Sequence, residues 1–129
     1  SYGAANGGLA YPLQYGVASD GATVMRLPNQ GTSRAYPTYT LCGEWPDGCT
    51  LRLACDGRNS TIAYSRAIHT GTPVLLDTRS RTATMGGVDV TSGLSQRGWM
   101  TIPAGKSLTV NLATAGSGWV SCSSHDTYI

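Results

Sequence analysis

The chain has 129 residues and a formal net charge of +2, with 12% charged residues, 17 glycines, 6 prolines, one lysine and one glutamate. That length fits a single domain with a real core, and the shortage of straight-chain residues that normally fill exposed helix faces argues against an all-helical fold. The charged share is about half the roughly 25% usual in globular domains, which excludes disorder and long charged tails. Eight of the nine basic residues are arginines spread from Arg26 to Arg97 without a run, so no concentrated basic footprint marks nucleic acid as a partner. The longest apolar stretches, such as Pro73-Val74-Leu75-Leu76, fall far short of the roughly 20 residues that span a bilayer, and membrane insertion is not expected.

Period-2 alternation bounded by turn residues predicts a succession of short strands. The first runs from Leu9 to Tyr15 and the second from Ala22 to Leu27. Thr38 to Gly43 and Cys49 to Ala54 are expected to form a hairpin, followed by Thr61 to Arg66. Pro73 to Thr78 and Thr82 to Met85 flank the turn Asp77-Thr78-Arg79-Ser80-Arg81, and Gly86-Gly87 leads into Val88-Asp89-Val90. Between Thr91 and Arg97 there is room for one short helical turn, because its glycine opposes anything longer. Trp99 to Ile102, Ser107 to Leu112 and Gly118 to Ser123 complete the series. About ten short strands separated by turns indicate an all-β fold, an antiparallel sandwich or barrel.

The chemistry-bearing residues are sparse. His69 and His125 are placed at opposite ends of the fold, and no G-x-S-x-G elbow accompanies His125-Asp126 or the serines around Cys122, so a hydrolase triad is not supported. Two separated histidines and scattered aspartates do not form a metal set, and the one glutamate leaves no obvious glycosidase pair. No phosphate-cradling glycine motif is present, and Asn59-Ser60-Thr61 reads as a chance glycosylation sequon. The expectation is a protein that is not an enzyme and needs no cofactor. The cysteines Cys42, Cys49, Cys55 and Cys122 lack a CxxC pair. Cys42 and Cys49 flank a short loop and could face each other as a disulfide across the expected hairpin; free buried thiols are the other reading.

Sugar-binding β domains stack rings on aromatic side chains while polar groups fix orientation. Trp45, in a turn with Pro46 and Asp47, is the expected exposed ring, and together with Tyr39 it is the candidate contact for a glycan or partner. Trp99 and Trp119 fall within strands and read as core.

Taken in order, several segments resemble a known family. They are Gly8-Leu9-Ala10-Tyr11-Pro12-Leu13; Asn29-Gln30-Gly31-Thr32 with Tyr36-Pro37-Thr38; Leu41-Cys42-Gly43; Thr72 to Arg81, followed by Thr82 to Val88; Trp99 to Leu108; and Ser124 to Ile129. Their sequence is similar to that of the distal tail and minor tail proteins of long-tailed bacteriophages. The resemblance covers the chain from Gly8 to Ile129. Gly86 replaces the usual asparagine of one turn, His125 replaces a terminal arginine, and the cysteines lie outside the pattern.

The resemblance implies a galectin-like β-sandwich over residues 9–129, with residues 1–8 expected to be a flexible N-terminal end or a linker from an upstream ring-forming domain. It implies a structural component of the virion tail tip, assembled in the bacterial cytoplasm. Its partners would be other tail proteins in a homo-oligomeric ring and a host-surface glycan. Asp77 is expected to shape its turn by accepting backbone hydrogen bonds; the alternative role for Asp77, Arg79 and Arg81 is a charged patch gripping a neighbouring subunit. Pro103-Ala104-Gly105 reads as a tight turn presenting Lys106. The functional alternative from a different class is a secreted carbohydrate-binding module or lectin.

Overall fold

The computed structural model describes residues 13–19, 24–114 and 118–125; of Leu13–Ser19 and His125 only the backbone is considered. The expected start of the first strand, the linker at residues 1–8 and the chain end at 126–129 lie outside these residues. In chain order the strands are β1 (Leu13–Ser19), β2 (Val24–Pro28), β3 (Thr38–Cys42), β4 (Cys49–Cys55), β5 (Arg58–Tyr64), β6 (Val74–Asp77), β7 (Thr82–Met85), β8 (Val88–Asp89), β9 (Leu94–Arg97), β10 (Ser107–Leu112) and β11 (Trp119–His125). A single 3-10 turn, Thr91–Gly93, precedes β9.

Two antiparallel sheets form a sandwich, one with the order β9-β5-β4-β10-β2 and the other β1-β11-β3-β6-β7-β8. Alternation in sequence sets which side chains meet between them. On β4, Cys49, Leu51, Leu53 and Cys55 are buried while Arg52 is exposed. On β10 the buried set is Leu108, Val110 and Leu112. Tyr39 and Leu41 of β3, Val74 and Leu76 of β6, and Val120 and Cys122 of β11 meet them from the other sheet. Each fully buried Leu, Ile or Val contributes about 1.5–3 kcal/mol of transfer free energy, so this interior is the main source of stability.

The expected hairpin between β3 and β4 is not a hairpin. The two strands belong to opposite sheets, and residues 43–48 arch between them over the open end of the sandwich. The hairpin partner of β4 is β5, paired from Cys49↔Tyr64 to Cys55↔Arg58 through a turn in which both Asp56 (φ 52) and Gly57 (φ 77) are left-handed. That is the backbone of a type I′ turn, which Asp-Gly favours. Gly86 (φ 57) and Gly87 (φ 83) make the same kind of turn between β7 and β8, so glycine preserves the geometry expected there. The segment from Trp99 to Ile102 is not a strand: only Ile102 bridges, to Ala35. The strand in this part of the chain is β9, whose register against β5 shifts between Leu94 and Gln96.

The ends of the sandwich are distinct. At the Cys42 end of β3, the arch 43–48 meets the segment around Ile68. At the Thr38 end, Tyr36-Pro37, the Asp56-Gly57 turn, the Asp77–Thr82 turn and the Trp99–Lys106 segment lie together. Asn29 joins much of this second end. Its Nδ2 donates to the carbonyls of Ser33 (2.8 Å) and Ile102 (2.8 Å), and its Oδ1 accepts from the Gly31 N–H (3.0 Å). Its backbone exchanges bonds with the Gly105–Lys106 turn, N–H to Lys106 O at 2.8 Å and O from Gly105 N–H at 2.9 Å.

Candidate functional site

Trp45, expected at the surface, is buried at 1% exposure. Its backbone exchanges hydrogen bonds with Ile68, and its Nε1 donates to the Cys42 carbonyl at 2.8 Å. Gly118 lies so close that an added Cβ would meet the indole nitrogen, so only glycine fits beneath the ring. Tyr39 is also fully buried, and its hydroxyl has no hydrogen-bond partner among the described residues. Burial, with the nearby Cys122 and Cys55, pushes its phenol well above the ordinary range. Neither ring presents a face to a ligand, and Trp45 plugs one end of the core instead.

The expected Cys42–Cys49 disulfide is also absent, because all four cysteines are free. Cys42 alternates outward with Thr40 on β3, and its thiol points to the Thr40 carbonyl at 3.8 Å. Cys49 faces the interior from the opposite sheet, so the two side chains lie on different sides of the fold and cannot be bridged without moving backbone. Burial pushes the Cys49 and Cys122 thiols up to about 12, with the Cys49 charge adding to the effect at Cys122. Thiols held protonated in this way are poor nucleophiles.

The remaining titratable residues are dispersed. Glu44 accepts from the Thr70 N–H (2.6 Å) and lies 3.2 Å from His69 Nδ1, a clasp between the arch and the neighbouring loop. Thr70's backbone N–H, then His69, hold the Glu44 carboxyl below its usual range. His125 stands on β11 beyond Ser123, toward the opposite end. Asp77 Oδ1 accepts from the Arg79 N–H (3.0 Å), as its turn role requires. Among the described residues, no three His, Cys, Asp or Glu side chains gather as a metal site, and no helix is long and apolar enough to cross a membrane.

One recess lies on the outer face of the five-stranded sheet. It occupies about 350 Å³ and is bordered by Arg52, Asn59, Thr61, Thr109 and Asn111. Register explains the gathering: Thr109, Ala54 and Asn59 stand side by side on β10, β4 and β5, and Asn111, Arg52 and Thr61 form the next row. The small Ala54 leaves the depression between longer neighbours. No side-chain hydrogen bond ties up Arg52, Asn59, Thr61, Thr109 or Asn111 among the described residues, so a guanidinium, two amides and two hydroxyls are available to hydroxyl or carbonyl groups of a ligand. Sequence reasoning missed this set because alternation marks these residues only as outward-facing; the cue is the pairing of β4 with both β5 and β10.

The opposite sheet presents a different face. Trp119, expected in the core, is 43% exposed, opposite Cys42 on β3. Beside it runs a row of Ser121, Thr40, Leu75 and Thr84. Inward-facing Val120 and Cys122 show that alternation is intact; Trp119 simply occupies the outward phase. No family model, curated protein or solved structure matches this chain.

Proposed function

We propose that this chain is a non-enzymatic attachment domain of a long-tailed phage tail tip, and that the outer face of the five-stranded sheet is its ligand- or partner-facing surface. The observation that carries this reading is the recess whose arginine, asparagine and threonine side chains have no internal role. A buried or structural polar group is normally hydrogen-bonded, whereas these are aligned in rows and left open. The tail-tip assignment rests on the order of segments in the sequence. Two of those segments, Asn29-Gln30-Gly31-Thr32 and Trp99 to Leu108, meet through the Asn29 hydrogen bonds, which gives them a shared structural purpose. Repetition of the domain around a tail axis would let weak contacts add through multivalency. Its partners on this reading are other tail proteins in a ring and a host-surface glycan.

A glycan array tests the surface. Binding that is lost in Arg52→Ala and Asn111→Ala, with the fold retained, assigns the recess to glycan recognition. A gene neighbourhood without other tail or capsid components would remove the tail-tip reading.

The second reading, a secreted carbohydrate-binding module, is favoured by the half-exposed Trp119 ring beside a Ser/Thr row, an arrangement suited to stacking a sugar face. On this reading Trp119→Ala, rather than the recess variants, abolishes array binding.

A further inference from the structure

We propose that a second groove, at the Thr38 end of the sandwich, binds a tetrahedral oxyanion of the phosphate type through the guanidinium groups of Arg58, Arg79 and Arg81 and the hydroxyl of Thr78. This inference is independent of the tail-tip reading. The groove occupies about 460 Å³ and is bordered by those four residues together with Tyr36, Trp99, Met100 and Thr101.

Three arginines converge here from separate places. Arg58 opens β5 of one sheet, while Arg79 and Arg81 stand in the β6–β7 turn of the other. Arg79 lies over the Tyr36 ring, 4.1 Å from its centroid, a stacking that fixes the guanidinium plane without consuming its edge donors. The guanidinium groups of Arg58 and Arg81 have no partner among the described residues. The ion pairs among those residues are Glu44 with His69 and Asp56 with Lys106, so no arginine is neutralised by a carboxylate. Two carboxylates stand near the groove, and both are engaged: Asp56 lies 3.5 Å from Lys106 Nζ, and Asp77 accepts from the Arg79 backbone.

The second, independent observation is Thr78. It is 3% exposed, and its Oγ1 has no hydrogen-bond partner among the described residues, although a buried hydroxyl left unpaired is unfavourable. Thr78 borders the groove, and on this proposal its side chain turns to donate to an anion seated there, the acceptor that the protein withholds. Arg81 adds to the case, since it holds a left-handed backbone (φ 59) that disfavours any residue with a Cβ. A glycine would relieve that strain and would carry no charge.

The donor set selects the anion. A guanidinium offers five N–H donors, and three guanidinium groups plus a hydroxyl exceed what a planar carboxylate with two oxygens can use. A phosphate group has at least three acceptor oxygens pointing in different directions and a charge of about −1.5 to −2, which matches donors arriving from a strand of one sheet and a turn of the other. The same group exists free or as an ester on a polyol or sugar.

Calorimetric titration of the 129-residue chain at low ionic strength tests the site, with inorganic phosphate, glycerol phosphate and acetate as probes. Saturable phosphate binding is expected, with acetate at least about tenfold weaker. Tighter binding of glycerol phosphate than of inorganic phosphate identifies an ester as the source, and the reverse order identifies the free anion; either supports the site. Arg81→Gly is expected to weaken phosphate binding by about tenfold or more, and Thr78→Val by about fivefold. Both variants should melt no lower than the parent, because each removes strain or an unpaired hydroxyl. Arg66→Gln, whose guanidinium bonds Ser92 away from the groove, should bind as the parent does. The proposal is overturned by absent phosphate binding, by acetate binding equally well, by unchanged affinity in Arg81→Gly or Thr78→Val, or by an equal loss in Arg66→Gln.

Discussion

The two ends of this sandwich are closed by opposite means. At the Cys42 end of β3, one large ring fills the opening: Trp45 is buried against Ile68 and satisfies its only side-chain donor on the Cys42 carbonyl. At the Thr38 end, loops are tied by the hydrogen bonds of Asn29, and a polar groove stays open beside them. Unpaired hydroxyls follow the same division. Tyr39, Thr78 and Ser124 each carry a buried hydroxyl without a partner among the described residues, and all three belong to the Thr38 half of their strands and turns. An end sealed by apolar area has little reason to retain unmet polar groups; at the polar end, Thr78 alone of the three borders the groove.

Removing the plug should give the largest effect. Trp45→Ala leaves a cavity beneath the arch and strands the Cys42 carbonyl, and a loss of about 3–5 kcal/mol is expected for truncating a buried tryptophan. Chemical denaturation measures it directly. A loss below about 1 kcal/mol would mean that the arch collapses into the space and that the ring is dispensable to closure.

The polar end is broken by Asn29→Ala. That change leaves the buried Gly31 N–H unmet and takes one of two donors from the Ile102 carbonyl, which keeps the Ala35 N–H; the cost is about 1–3 kcal/mol. The effect should also reach the groove, because the Asn29 side chain holds the Ile102 carbonyl, and the preceding Thr101 borders the groove. Phosphate affinity should therefore fall in Asn29→Ala and stay unchanged in a milder variant of the plug, Trp45→Phe. A fall in both would show that the ends are coupled through the sheets.

Tyr39→Phe sharpens the contrast with an opposite sign. The hydroxyl has no partner to lose, so its removal should raise stability by about 1 kcal/mol. Thermal melting reports it, and a drop would reveal that the hydroxyl is satisfied in solution.

These residues also show how much could be read from the chain beforehand. The all-β class was legible because alternation is strong in β4 and β10 and because turn pairs such as Asp56-Gly57 and Gly86-Gly87 adopt the backbone their sequences favour. The path of the chain between sheets was not. Thr38–Cys42 and Cys49–Cys55 look like hairpin arms, and nothing local distinguishes a hairpin loop from an arch of the same length. That one ambiguity misplaced both Trp45 and the cysteine pair, since an arch turns the ring inward and puts Cys42 and Cys49 on different sides. Trp119 erred for a related reason: strand membership was legible, but its phase became visible only through Val120 and Cys122 on the inner face. The two grooves were the least legible, because each joins residues from strands or turns far apart in sequence, and only register and sheet order bring them together.

The smallest effect is expected at the clasp beside the plug. Glu44 is exposed, and Thr70's N–H and His69 lower its carboxyl below the usual value. A carboxylate whose folded pKa is depressed contributes stability that is fully present above the unfolded pKa, here about 4.3 for a glutamate, and lost as pH falls through the lower folded value. Melting temperature should thus decline less steeply below about pH 4.3 in Glu44→Gln than in the parent, with the two nearly parallel at higher pH, where the exposed contact between Glu44 and His69 is screened by solvent. Asp89, lowered by its hydrogen bonds with Thr91, contributes to the same acid limb in both proteins and cancels from the difference. An identical acid limb in Glu44→Gln and the parent would show that the clasp is broken in solution, leaving the Trp45 plug as the sole device holding the arch at that end.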